Sequence, residues 1–286
     1  MQPPPFLLPD AIEGVHSARS DNVSSRAAAM FKPFDLTGQV ALITGGNSGI
    51  GLGMARAVAS AGADVAIWGT NATKNAAAKA ELAASGRRIV ALQCDVSDEQ
   101  AVEAAFAETL GALGRVDGCF ANAGVSGQAR SPSFAAMTAE EWHRVLKVNL
   151  DGAFFTLRAA ARHMVERGGG GALVGTASLA AIEGAPRSEH YAATKGGLIS
   201  MIRALAVEYA RHGVRANAIL PGWIETDMTS AAIGNEKFAA NVLPRIPMRR
   251  WGNGNDFGGI AVYLMSTASA YHTGDSFLID GGYAVF

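Results

Sequence analysis

Val40-Ala41-Leu42-Ile43-Thr44-Gly45-Gly46-Asn47-Ser48-Gly49-Ile50-Gly51 runs from a continuous apolar stretch into a glycine-rich turn. Helix formers follow from Leu52 to Ala61 until Gly62 stops them. A short run with no polar alternation is a strand covered on both faces, the kind found in parallel sheets. Glycines at the end of such a strand let the backbone turn tightly and approach a diphosphate, whose charge suits the free N–H groups at a helix start. The turn alone also admits an ordinary strand-to-helix connection, because its spacing departs from GxGxxG. No Gly-Lys-Ser/Thr follows, so it is not a P-loop.

Outward from this unit the same cycle repeats. Strands are expected at 65–68, 89–93, 116–121, 172–176, 215–220 and 276–279, and helices at 72–84, 98–110, 139–167, 191–211 and 256–266. Strands alternating with helices give an α/β, doubly wound fold, a parallel sheet with helices on both faces. One such domain accounts for residues 35–286. Residues 1–34, with Pro3, Pro4, Pro5 and Pro9 followed by a mixed polar stretch, read as an N-terminal extension.

The 286 residues are enough to bury a large core. Glycine supplies 34 positions, about 12% against a usual ~7%, and charged residues make up only 17% against roughly 25%. With 24 basic and 25 acidic residues the net charge is −1, which removes the basic footprint of a nucleic-acid binder. No stretch reaches the ~18 apolar residues of a membrane helix, and the N-terminus lacks the pattern of a secretory signal. Two cysteines, Cys94 and Cys119, make neither a disulfide framework nor a metal spacing, so a reducing cytoplasm is expected. No histidine pair has metal-ligand spacing, and no metal is expected.

Beyond the cradle, Asp95-Val96 follows the third strand and Asn122-Ala123-Gly124 the fourth. Asp95 can accept from an adenine amino group or serve the helix start at Ser97 and Asp98. Tyr191 and Lys195 stand at i and i+4 on one helix face, with Ser178 just after the strand that ends at Thr176 and Asn149 in the long helix before it.

Thr44 to Gly51, Asp95, Asn122-Ala123-Gly124, Asn149, Ser178, Tyr191-xxx-Lys195 and Pro221-Gly222, in this order, resemble the short-chain dehydrogenase/reductase family over residues 35–286. The resemblance implies a Rossmann fold with a seven-stranded sheet, a homotetramer or homodimer, and a catalytic tetrad matching Asn149, Ser178, Tyr191 and Lys195. Hydride would pass between nicotinamide and a secondary alcohol or ketone while Tyr191 moves the proton. Tyrosine titrates near 10, and Lys195 with an oxidised nicotinamide would bring it down. Ser178 would hold the substrate oxygen, Lys195 the nicotinamide ribose, and Asn149 a water leading to solvent. Without its three companions Asn149 would read as a satisfied amide inside a helix.

The implied cofactor contacts are Gly45, Asn47, Ser48, Gly49, Ile50 and Gly51 in the cradle, Thr70 and Asn71 after the second strand, Asp95, Val96, Asn122, Ala123 and Gly124, with Tyr191 and Lys195. Pro221, Gly222, Ile224 and Thr226 would cover the nicotinamide, and residues 226–248, with Gly234 and two prolines, would form a mobile substrate loop. An acidic residue after the second strand would bind a ribose 2′-hydroxyl, whereas Gly69-Thr70-Asn71 stands there. Its absence tilts the choice between NADP and NAD towards NADP, although Ser48 occupies a cradle position where phosphate-preferring relatives often carry a base.

The substrate is expected to be a small hydroxylated, cyclic or acyl molecule. Trp223 lines its site or packs beneath the loop. Glu183, Arg187, Glu189 and His190 are substrate contacts or solvated loop residues, and Arg245, Arg249 and Arg250 attract an acidic group or simply lie at the surface. A 3-oxoacyl carrier-protein reductase-like activity and a catalytically idle nucleotide-sensing protein are the alternatives, and the complete tetrad opposes the second.

Overall fold

The structure, a computed structural model, describes residues 32–127 and 131–286. The proline-rich start lies outside them. Every residue of β1 (Val40–Thr44) is buried, with Ala41 and Ile43 on one face of the sheet and Leu42 on the other. β1 pairs in parallel with β2 (Asp64–Gly69) on one side and β4 (Gly118–Ala121) on the other. With β3 (Ile89–Gln93), β5 (Gly171–Thr176), β6 (Val214–Pro221) and β7 (Ser276–Ile279), they form a seven-stranded parallel sheet of order β3-β2-β1-β4-β5-β6-β7. The order reverses between β1 and β4, and a crevice opens there beyond the strand ends.

One face carries α1 (Gly49–Ser60) and α2 (Ala72–Leu82), where Met54 and Val58 meet Ile43, Ile67 and Phe120. The other carries α3 (Glu99–Leu113), whose Phe106 packs edge-on to Trp68 of β2, and the Trp68 indole donates to Thr109 at 3.1 Å. Helix ends follow local chemistry. Asp98 caps α3 by accepting from Gln100 N and Ala101 N, and Gly114, at φ +84°, closes it.

The helix expected at 139–167 is three pieces. α4 (Ala139–Leu146) passes into a π-turn over Lys147–Asp151 and then into α5 (Gly152–Arg167). The wider turn adds a residue to the spiral and carries Asn149 inward, where it is wholly buried. α6 (Glu189–Tyr209) then leads to β6. The loop expected at 226–248 contains two short helices, α7 (Ser230–Ile233) and α8 (Glu236–Val242), before α9 (Gly258–Met265).

The glycine content has a packing cause at Gly53. A Cβ there would lie 1.9 Å from the Gly254 carbonyl oxygen, so α1 meets the turn before α9 at backbone distance.

Candidate active site

Two ties set the crevice floor. Thr44 Oγ1 accepts from Asn122 N and Ala123 N, both at 3.0 Å, and Asn122 Nδ2 donates to Thr44 O at 2.9 Å. The ends of β1 and β4 are thereby fixed side by side. Next to them the cradle is shaped by missing side chains. Gly45 and Gly49 sit at φ +63° and +51°, and a Cβ on Gly51 would stand 2.2 Å from Gly45 O. Ser48 at the start of α1 makes no side-chain cap, so the first N–H groups of the helix, on residues that line the crevice, are left without a capping side chain. A diphosphate fits this cradle by charge and by backbone approach.

One cavity of about 540 Å³ takes in all the expected dinucleotide positions, from Thr70, Asn71 and Asp95 through Ser48 and Gly49 to Gly124, Tyr191, Lys195, Ile224 and Thr226. Several of these side chains already have partners. Asp95 Oδ1 accepts from Ser97 N at 2.9 Å and Ser97 Oγ at 2.8 Å. Asn71 Oδ1 caps α2 through Lys74 N. The Thr226 hydroxyl lies 3.1 Å from that of Thr229.

The cleft also holds residues that the sequence reading passed over. Asn75, buried in α2, accepts from Asn47 Nδ2 at 2.7 Å and donates to Gly69 O and Leu92 O at 2.9 Å, so it holds the cradle against β2 and β3. Lys74 on the first turn of α2 lines the cleft and reaches Asp227 Oδ2 at 2.7 Å, joining the two sides of its mouth. Attention to the residues directly after β2 misses Lys74. Its signal is a base three residues past the helix cap.

Tyr191 and Ser178 stand where this cleft joins a second cavity of about 380 Å³, and Lys195 lines the cleft beside them. Lys195 is buried, its Nζ donates to Thr176 O at 2.7 Å and stands 5.5 Å from the centre of the Tyr191 ring. Burial pushes the ammonium down to about 8. It pushes the Tyr191 phenol above its usual 10, while a hydrogen bond with the Ser178 side chain draws it back.

Asn149 lies outside both cavities' walls. Its Oδ1 accepts from Val125 N at 2.7 Å and its Nδ2 donates to Val125 O at 3.0 Å, a two-point clamp on the strand exit. A Cβ on Gly124 would come 3.2 Å from Asn149 Oδ1 and 3.7 Å from Lys195 Nζ, so the clamp adjoins the lysine.

The second cavity is walled by Trp223, Phe238 and Tyr283, with Glu183 at its rim. Trp223 meets Phe238 edge-on at 4.9 Å, and Phe238 stacks on Trp251. Trp223 therefore does both things expected of it, lining the cavity and packing under the loop. Of the other polar candidates, His190 is buried against Glu141, Arg187 and Glu189 bond each other locally through Arg187 N, and Arg250 is paired with Asp256. Among the described residues no cluster of ligating side chains suits a metal.

A family model described as enoyl-(acyl carrier protein) reductase matches residues 45–284. The chain belongs to the short-chain dehydrogenase/reductase family. A 2-dehydro-3-deoxy-D-gluconate 5-dehydrogenase of Pseudoalteromonas atlantica is 39% identical over 255 residues, covering 89% of this chain and 99% of the relative. An L-rhamnose 1-dehydrogenase (NAD(P)(+)) of a Sphingomonas species is 36% identical over 248 residues, covering 86% and 96%. A gluconate 5-dehydrogenase of Burkholderia cenocepacia, solved with NADP and tartrate, superposes with a TM-score of 0.83 at 34% identity, covering 89% and 98%. The dehydrogenase thus shares its whole described domain with enzymes that act on CH–OH groups. Like them it is an oxidoreductase using a nicotinamide cofactor.

Proposed function

We propose that this dehydrogenase moves a hydride between NAD(P) and a secondary alcohol or ketone, with Tyr191 as acid and base. The observation that carries this reading is the placing of Tyr191 and Ser178 on the walls of both cavities, with the Lys195 ammonium on the cleft side 5.5 Å from the Tyr191 ring centre. The dinucleotide, when bound, supplies the hydride acceptor or donor at its nicotinamide.

In this reading Ser178 holds the substrate oxygen against Tyr191. In the oxidative direction Tyr191 takes the hydroxyl proton as the carbinol carbon loses hydride, and in reduction it returns it. Lys195, tied to Thr176 O, keeps its positive charge beside the phenol and favours the phenolate. Asn149 holds the strand exit that keeps Gly124 against the lysine. The cradle from Gly45 to Gly51 takes the diphosphate, Asp95 the adenine side, and Pro221 to Thr226 the carboxamide side. Lys74 adds to the choice of NADP, since it offers an ammonium at the adenosine end of the cleft.

Aromatic walls at Trp223, Phe238 and Tyr283 with one carboxylate at Glu183 suit a small hydroxylated ring. Residues 35–286 are the catalytic domain, with 226–248 as its substrate loop and 1–34 as an extension. A homotetramer is the assembly that goes with membership of the family, and two buried free thiols support a reducing, cytoplasmic setting.

The test is a panel of polyols, sugar acids, cyclic ketones and oxoacyl thioesters read by nicotinamide absorbance. Tyr191→Phe should abolish turnover and leave dinucleotide affinity intact. Turnover by that variant at the wild-type rate would overturn the reading.

A further inference from the structure

The residue before the proposed acid and base is the centre of a buried polar chain that the reaction scheme does not use. His190 is 1% exposed and Glu141 9%. His190 Nε2 lies 3.3 Å from Glu141 Oε1. Glu141 also accepts both arms of Arg144, at 2.7 and 2.8 Å, and Arg144 Nη2 donates to Ser126 O at 3.0 Å. A carboxylate held by a guanidinium accepts only, so Nε2 carries a proton and donates it. His190 Nδ1 is buried and without a partner among the described residues.

This chain of bonds ends on the strand exit beside the active site. Three consecutive residues there are held through their main chain: Val125 by Asn149, Ser126 by Arg144 and Gly127 by Ser188 Oγ at 3.2 Å. Ser126 and Gly127 wall the second cavity. Gly127 also packs directly on the start of α6: a Cβ there would stand 2.4 Å from Tyr191 Cβ and 3.3 Å from His190 Cε1.

We propose that the His190–Glu141–Arg144 chain is a positioning device for Tyr191, locking the first turn of α6 and the segment Ser126–Gly127 into one rigid unit so that the phenol faces Ser178. His190 and Glu141 touch neither reacting atoms nor cofactor cleft. Their effect passes through the backbone on which Tyr191 stands. The inference rests on the role given to Tyr191 above.

An imidazole does this better than an aliphatic side chain of similar size, because the donor to Glu141 sets both the ring angle and the α4–α6 spacing. Removing it also leaves a buried carboxylate with one donor fewer. A misplacement of about 1 Å at the phenol is enough to slow proton transfer by on the order of 10²-fold.

The experiment compares His190→Leu with His190→Gln, whose amide N–H can still reach Glu141, and runs Tyr191→Phe beside them. His190→Leu should lower kcat about tenfold or more while KM and the Kd for NADPH stay within about twofold, and His190→Gln should recover most of kcat. Thermal unfolding of each variant separates positioning from loss of fold. Equal kcat for the Leu and Gln variants at matched stability would overturn the proposal. A dead Tyr191→Phe beside a fully active His190→Leu sinks the positioning chain alone, and an active Tyr191→Phe sinks both readings.

Discussion

Lys195 Nζ lies 5.5 Å from the centre of the Tyr191 ring, and its hydrogen bond runs to Thr176 O at 2.7 Å, not to the phenol. The ammonium is therefore fixed from the sheet side, by the last residue of β5, and acts on tyrosine through space. A charge held in this way keeps its position whether or not tyrosine carries its proton.

That charge costs stability. Lys195 is buried and titrates near 8 against 10.5 when free, so folding below pH 8 carries the full cost of burying an ammonium. The cost fades as pH rises from 8 to 10.5, where only the unfolded chain remains protonated. The interval corresponds to roughly 3 kcal/mol. Lys195→Met should raise the unfolding temperature at pH 7, by less at pH 10, and abolish turnover. Calorimetry of the unliganded protein at both values checks this, and a less stable variant at pH 7 would contradict it.

Ser178 does more than hold an oxygen, because its hydrogen bond with the Tyr191 side chain lowers a phenol that burial raises. Ser178→Ala should move the inflection of alcohol oxidation to higher pH and cut kcat by about 10²–10⁴. A pH–rate profile with an unmoved inflection would remove the serine from control of the proton.

At Gly53 the expected effect is steric. Its added methyl would meet Gly254 O at 1.9 Å, with backbone on both sides and little room to yield. Gly53→Ala should cost about 1–3 kcal/mol and weaken dinucleotide binding by shifting α1. Urea unfolding measures the first, fluorescence titration with NADPH the second.

The ion pair of Lys74 with Asp227 joins two exposed side chains, so it contributes little to stability, about 0–1 kcal/mol. Lys74→Ala should leave the unfolding temperature nearly unchanged. Its affinity for 2′,5′-ADP should fall about tenfold with that for ADP unaffected, since a charge-assisted bond to phosphate is worth about 1.5–3 kcal/mol. Titration calorimetry with the two nucleotides decides, and equal losses for both would exclude Lys74 from reading the 2′-phosphate.

Much of the architecture was legible because β1, β2 and β4 are apolar on both faces and Gly62, Gly114 and Gly213 mark helix ends. Spacing also marked Ser178, Tyr191 and Lys195, which the fold brings to the walls of one cleft. The π-turn at 147–151 was not legible, because one extra residue in a spiral leaves the apolar pattern nearly unchanged. Asn149 shows the consequence: its two-point clamp on Val125 depends on a rotation that no motif encodes. Lys74, Asn75 and Glu141 were missed for a related reason. Each acts on a residue distant in sequence, and polar residues on a helix read as solvated until the fold supplies the partner.

At Val125, Ser126 and Gly127 the anchors from Asn149, Arg144 and Ser188 grip three carbonyl oxygens and an amide. The path of the chain at Val125 is thus decoupled from its side chain, which lines the cleft. Mutation at 125 can remodel what the cleft accepts without untying the wall itself, so this position offers a route by which ligand preference can change while proton transfer is kept.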